Sequence, residues 1–123
     1  MQLSVAATDE PSALGVQDLV VIAVKGPALA GVAATIAPLL GPHTVILPAV
    51  NGVPWWFMPG APLDAVDPGG HILAAMPTSH VVGCVVHASA AVLEPGRVVH
   101  RMGQGLVIGE PAGILAQTRT VDQ

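Results

Sequence analysis

The sequence predicts an α/β fold in which a parallel strand–helix–strand core passes into an antiparallel meander. Three observations predict it. Two short apolar runs, "DLVVIAVK" at 18–25 and "HTVILPAV" at 43–50, lack in/out alternation. Each therefore reads as a strand buried on both faces, as in a parallel sheet. Between them, "GPALAGVAATIAPLLG" at 26–41 sets Leu29, Val32, Ala33, Ile36, Leu39 and Leu40 at helical spacing, with connections short enough for one crossover unit. After a third apolar run at 80–88, turn residues recur every few positions, as they do between antiparallel strands.

In chain order, "LSVAA" reads as a short strand, and "TDEPSAL" offers an N-cap candidate and a brief helical turn. The helix at 26–41 opens near Pro27 and closes at Gly41. Pro38 falls in its last turn and loosens it. The second strand ends in Asn51-Gly52, followed by Pro54, Trp55 and Trp56. Residues 54–80 are rich in Pro and Gly and predict no long element. "HVVGCVVHA" (80–88) is another buried strand, in which Cys84 packs as a small hydrophobe. "AAVLEPGRVVH" reads as two short strands around a turn at Glu94-Pro95-Gly96-Arg97. "RMGQG" reads as a second turn, "LVIGEP" (106–111) as a last strand, and "GILAQTRTVDQ" as the start of a helix. The organisation expected is one α/β domain at 1–113 and a helical or tail segment at 114–123.

Composition narrows the function. Of 123 residues, 52% are hydrophobic and 10% charged, with a mean hydropathy of +0.68; a soluble domain usually carries about 25% charged residues. The chain is either a membrane protein or a piece that buries surface against something else. No run approaches the roughly 18–20 apolar residues of a spanning helix, and "MQLSVAATDEPS" has no basic n-region or long apolar core. The expectation is a cytoplasmic protein with no membrane partner, its bare surface meeting a second copy or a parent domain. The net charge is −4, and without a basic patch nucleic acid is not expected as a partner.

Open parallel sheets bind ligands beyond the carboxyl ends of their strands. The first predicted strand ends in Lys25, the chain's sole lysine, the second in Asn51-Gly52, and the third in His87-Ala88-Ser89. If the three strands are neighbours, these endings line one crevice. A lysine there can meet a phosphate or carboxylate, and an asparagine can donate to a carbonyl or hydroxyl. Gly52 lets the backbone pass close to a ligand. Each residue also has a plainer reading. Lys25 is then a solvated strand end, Asn51-Gly52 a turn, His87 a structural histidine, and Trp55 and Trp56 a packing plug. His43, His71, His80 and His100 lack metal-ligand spacing, so no metal is assigned. No Gly-x-Ser-x-Gly elbow or phosphate loop is present, and Asp64 and Asp67, in a Pro/Gly loop, read as solvated.

In this order the residues resemble the N-terminal cofactor domain of the ketopantoate reductases. The resemblance is carried by "DLVVIAVK", the Ala/Leu helix, "AVNG", and "GCVVHASAAVLEPGRVVHRMGQGLVIGEP", with His87-Ala88, Pro95-Gly96, Val99-His100 and Gly103 to Gly109 in family order. It spans about residues 3 to 111 and implies a Rossmann-like domain that serves NADPH-dependent reduction of a 2-oxo acid, in the family case ketopantoate to pantoate in pantothenate biosynthesis. It implies cofactor contacts for Lys25, Asn51, Gly52 and Ser89, a catalytic place for Asn51, and a substrate pocket near Trp55, Trp56 and His87. The family's Gly-x-Gly-x-x-Gly turn, which seats a pyrophosphate on a helix N-terminus, has no counterpart here. Nor has its C-terminal helical domain, which carries a catalytic lysine. The expectation is thus a partial domain lacking the first strands and the helical domain, inactive by itself. Val50, where Gln or His is common in the family, points to a subgroup with a different pocket. Two alternatives remain: a non-catalytic remnant that acts as an interaction domain, and a reductase of another 2-oxo acid. The residues themselves leave NADP and NAD as equals.

Overall fold

β1 (Leu19–Ile22) and β2 (Val45–Pro48) pair in parallel, Leu19 beside Val45 through Ile22 beside Pro48. This is a computed structural model, in which residues 4–58, 63–111 and 119–120 are described. β3 (Gly83–Glu94) runs parallel to β2 on its other side through the bridges Ile46–Val81 and Ala49–Cys84. The Val82 N–H donates to the Ile46 carbonyl at 2.9 Å. The three predicted strands are therefore neighbours and run in one direction.

The predicted helix forms in three pieces. A 3-10 turn at Gly26–Ala28 leads into α1 (Leu29–Thr35), and a second 3-10 turn follows at Ala37–Leu39. Pro38 is the cause of the second: a proline cannot continue the i→i−4 ladder, and Leu39 and Leu40 bond three residues back, to Ile36 and Ala37. The apolar stripe survives the change. Leu29 and Ile36 are buried, and Val32, Ala33, Leu39 and Leu40 pack beside them.

The core joins Ile22, Ile46 and Val81 of the sheet to Leu29, Ile36, Trp55, Ile72 and Met76. It lies on one face of the strands only. Leu19 and Val21 are each 53% exposed, so β1 is not buried on both faces as its unbroken apolar run predicts. Among the described residues a single layer covers the sheet, and alternate side chains of β1 point away from it.

The Pro/Gly-rich stretch holds no long element. It does contain α2 (His71–Ala75), which sends Ile72 into the core. Asp67 is not solvated: it is 1% exposed, and its carboxylate caps α2. Oδ1 accepts from the Ile72 N–H at 2.8 Å and Oδ2 from the Leu73 N–H at 2.9 Å. The turn through Gly69 and Gly70, both at positive φ, lets the chain fold back over its own carboxylate. Asp64, by contrast, is exposed. Replacing Asp67 with alanine strands two inward-facing donors at about 1–3 kcal/mol each. A loss of about 2 kcal/mol or more is expected in urea unfolding.

The antiparallel part is one long hairpin. β3 pairs with β4 (Arg97–Gly109) from Gly83 beside Gly109 to Glu94 beside Arg97. The turn falls at Pro95-Gly96 as predicted, with Gly96 at φ 80°. Arg97 reaches Glu94 across it at 3.3 Å. "RMGQG" is not a second turn. Gly103 adopts φ 76° within β4, and the register shifts opposite, between His87 and Ser89. This is a bulge, which absorbs a residue without ending the strand, and so "LVIG" continues β4. The His100 ring nitrogen bonds the Gly103 carbonyl at this point.

β5 (Arg119–Thr120) adds an antiparallel pair to Val107 and Ile108. These two residues are strand, not helix; the remainder of the expected helical tail, 114–118 and 121–123, lies outside the described residues. Residues 4–7 form no strand, whereas the brief turn expected after them is present at Pro11–Ala13. Thr8 Oγ1 accepts the Glu10 N–H before that turn. Among the described residues no helix is long and apolar enough to cross a membrane.

Candidate functional site at the strand ends

The carboxyl ends of β1 and β2 open into a cleft of about 320 Å³ between the Gly26-Pro27 turn and the segment from Val50 to Trp56. A second cleft of about 360 Å³ lies between that segment and Cys84-Val85 of β3. Val50, Asn51, Gly52, Pro54 and Trp56 line both. The stretch that follows β2 is thus a partition with a ligand-sized space on each side, at the low end of the volumes that hold small molecules.

Asn51 is tied to β3 at the centre of this partition. Its Nδ2 donates to the Val86 carbonyl at 3.0 Å, and its Oδ1 accepts from the Val86 N–H at 3.0 Å. One N–H and one lone pair of the amide are left to serve a ligand. Gly52 turns the chain away at φ 110°, a conformation that strains any residue with a Cβ. Among the described residues, no atom beyond the adjoining residues lies within 4 Å of the Cβ position of Gly26 or Gly52, so both cleft mouths are open at these glycines.

The two tryptophans divide their roles. Trp55 is 1% exposed and belongs to the core. Its indole N–H donates to the Met76 carbonyl at 3.1 Å, and it reaches the first cleft only as part of the wall. Trp56 is the partition wall itself, partly buried and common to both clefts. Its ring lies over Gly83, where a Cβ would come within 2.7 Å of Cη2. Its indole N–H is buried without a partner among the described residues.

Lys25 is exposed and begins the 3-10 turn, its carbonyl accepting from the Ala28 N–H. It adjoins the first cleft through Gly26 and makes no ion pair among the described residues. His87 and Ser89 are exposed on the hairpin, opposite Gly105 and Met102. Neither lines either of these two clefts: β3 carries them past the ends of β1 and β2. Cys84 is buried, as its apolar surroundings predict, and burial pushes its thiol pKa up. It lies in the wall of the second cleft as an unreactive thiol.

Sequence reasoning passed over Gly83 and Val86. A glycine inside an apolar strand signals close approach of another group, and here the group is Trp56. For Val86 no local signal exists, because its contribution is main-chain.

Parallel strands joined by a helical crossover, with clefts at their carboxyl ends, define a Rossmann-type α/β domain. Residues 2–113 match the family described as Ketopantoate reductase PanE/ApbA, and the chain belongs to that family. A 2-dehydropantoate 2-reductase of Mesorhizobium japonicum is 40% identical over 116 residues, 89% of this chain and 36% of that protein. A crystal structure of a candidate ketopantoate reductase from Ralstonia solanacearum MolK2 superposes with a TM-score of 0.86 at 52% identity, over 94% of this chain and 38% of the other. The 2-dehydropantoate 2-reductase structure from Geobacter metallireducens GS-15 shares the fold, with a TM-score of 0.63 at 24% identity over 83% of this chain and 30% of the other. The chain thus spans 30–38% of the length of these relatives.

Proposed function

We propose that this chain forms part of the cofactor and substrate crevice of an NADPH-dependent, cytoplasmic 2-oxo acid reductase of the ketopantoate reductase type. The observation that supports the reading is the convergence of two parallel strand ends on Asn51-Gly52, with a cleft on each side. The open positions at Gly26 and Gly52 suit a flat ring and sugar, and the cleft volume suits the nicotinamide end of the cofactor but not its whole length. When bound, the cofactor supplies the hydride that reduces the keto carbon.

The chain's own residues bind and orient. Asn51 offers its remaining N–H to a carbonyl oxygen of nicotinamide or substrate. Lys25 offers an ammonium to a phosphate or carboxylate beside Gly26. Val50, Pro54 and Trp56 line the clefts with mostly apolar surface and limit water beside the reacting groups. Asn51 and Gly52 carry the catalytic and cofactor assignments. Ser89 remains assigned to the cofactor only through its main chain. His87 is left out of the pocket, and Trp55 enters it only as part of the first cleft's wall. The partners proposed are a small 2-oxo acid and the rest of a full-length reductase. Reductase turnover is assigned to that longer protein, and the 123-residue chain alone is expected to oxidise no NADPH.

A thermal melt of the purified chain with excess NADPH, and separately with NADH, tests the reading. A midpoint raised by NADPH is expected, since a ligand that binds only the native state stabilises it by mass action. A midpoint indifferent to both nucleotides overturns the cofactor assignment for this chain and favours the interaction-domain alternative.

A further inference from the structure

We infer that Asn51 is a positioning residue as well as a ligand-facing one: its carboxamide replaces a missing rung of the β2–β3 ladder and so fixes the floor of both clefts. Val82 bonds toward β2 at Ile46, and Cys84 bridges to Ala49. Residues two apart in a strand present their polar backbone groups on the same edge, so the Val86 N–H and C=O also face β2. A regular strand would meet them with its own main chain. Here the chain leaves the sheet at Gly52 to form the partition, and among the described residues no main chain pairs with Val86 on its β2 side. The Asn51 carboxamide has the same donor and acceptor as a peptide group, and it takes both bonds at 3.0 Å.

The latch lets the main chain depart while the sheet stays closed. It also holds the amide in one rotamer, so its spare N–H is aimed before any ligand arrives and little side-chain entropy is lost on binding. The bonding requirement is specific. A carboxylate accepts from the Val86 N–H but repels the Val86 carbonyl, whereas a neutral carboxylic acid has one donor and one acceptor and can make both bonds.

The first test uses the unaltered chain. Amide hydrogen exchange at Val86 is expected to be slowed at least about tenfold relative to an unstructured peptide, as for a bonded amide. Exchange at the unprotected rate overturns the latch. The second test compares Asn51→Asp with the apolar isostere Asn51→Leu by thermal melting from pH 7 to pH 4, each against the unaltered chain at the same pH. Both are expected to melt lower at pH 7. The carbonyl opposite the new carboxyl raises its folded-state pKa above the unfolded value of about 3.9. The stability of this variant is then fullest at low pH and is lost as pH rises through the raised pKa. Its deficit should shrink by pH 4, while that of Asn51→Leu should not.

Lys25 on the β1 side and Cys84 and His87 on β3 are the other titratable groups at this junction, and they are common to all three chains. Equal pH dependence of the two deficits overturns the inference. The statement about the aimed N–H rests on the proposed function. Failure of NADPH to shift the melt would remove that statement, while the exchange and pH results decide the latch independently.

Discussion

Trp55→Ala is expected to lower the stability of this chain by about 3–5 kcal/mol, the usual cost of emptying a large aromatic site in a core. Trp55 is among the largest fully buried side chains, at 1% exposure, and it packs with Ile72 and Met76 against the sheet residues Ile22 and Ile46. The substitution leaves a cavity and also strips the Met76 carbonyl of its indole donor. A small domain holds only about 5–15 kcal/mol in total, so the variant sits near or past unfolding at 25 °C. Urea titration followed by far-UV circular dichroism measures this directly. Trp56→Phe is the control: it removes an N–H that is buried without a partner among the described residues and keeps an aromatic wall, so its cost should be small. Equal losses from the two substitutions would refute the division between core and partition.

Gly103→Ala is expected to disrupt the hairpin, at about 3 kcal/mol or more. Two costs combine. The backbone at φ 76° is strained for a residue with a Cβ, at about 1–3 kcal/mol, and the added carbon would overlap the His87 carbonyl oxygen. That neighbour is backbone, not a flexible side chain, so the two strands must separate. The register between His87 and Ser89 is set at this point. Loss of the slowly exchanging amides of β4, with α1 and α2 still protected, is the result to seek. Gly105→Ala is the contrast, since its Cβ would meet only the His87 side chain at 3.4 Å. A Gly103→Ala chain with native exchange in β4 would show that no bulge forms in solution.

The interior pattern was readable wherever a residue's role depends on its near neighbours. The stripe from Leu29 to Leu40 predicted the helix face because side chains three and four apart share a side. Pro38 predicted where the helix would change, and Pro95-Gly96 predicted the turn that joins β3 to β4. The expectation that three strand endings line one crevice rested on the strands being neighbours, and in the fold they are, but β3 lines the second cleft with Cys84 and Val85 and not with its predicted ending at His87-Ala88-Ser89.

The errors have a common physical origin. Leu19 and Val21 look buried because apolar residues usually are, but what covers a strand face is decided by other elements, and sequence alternation does not record them. Asp67 looks solvated in a loop of Pro and Gly, yet the main chain folds back and meets it with two N–H groups. "RMGQG" has the residues of a turn, and a left-handed glycine serves a bulge equally well.

By itself, then, the sequence determined the α/β class, the order of strands and crossover, the main turn and the family resemblance, all of which rest on local spacing and residue type. Only the tertiary structure decided that Trp55 fills the core while Trp56 walls two clefts, that His87 and Ser89 pass beyond them, and that Asn51 is bonded to Val86. Val86 is 35 residues away in the chain, and the bond runs to main-chain atoms that every residue carries. No residue type could announce it. It exists because the fold brings an unpaired strand edge to the one side chain there that can act as a peptide group.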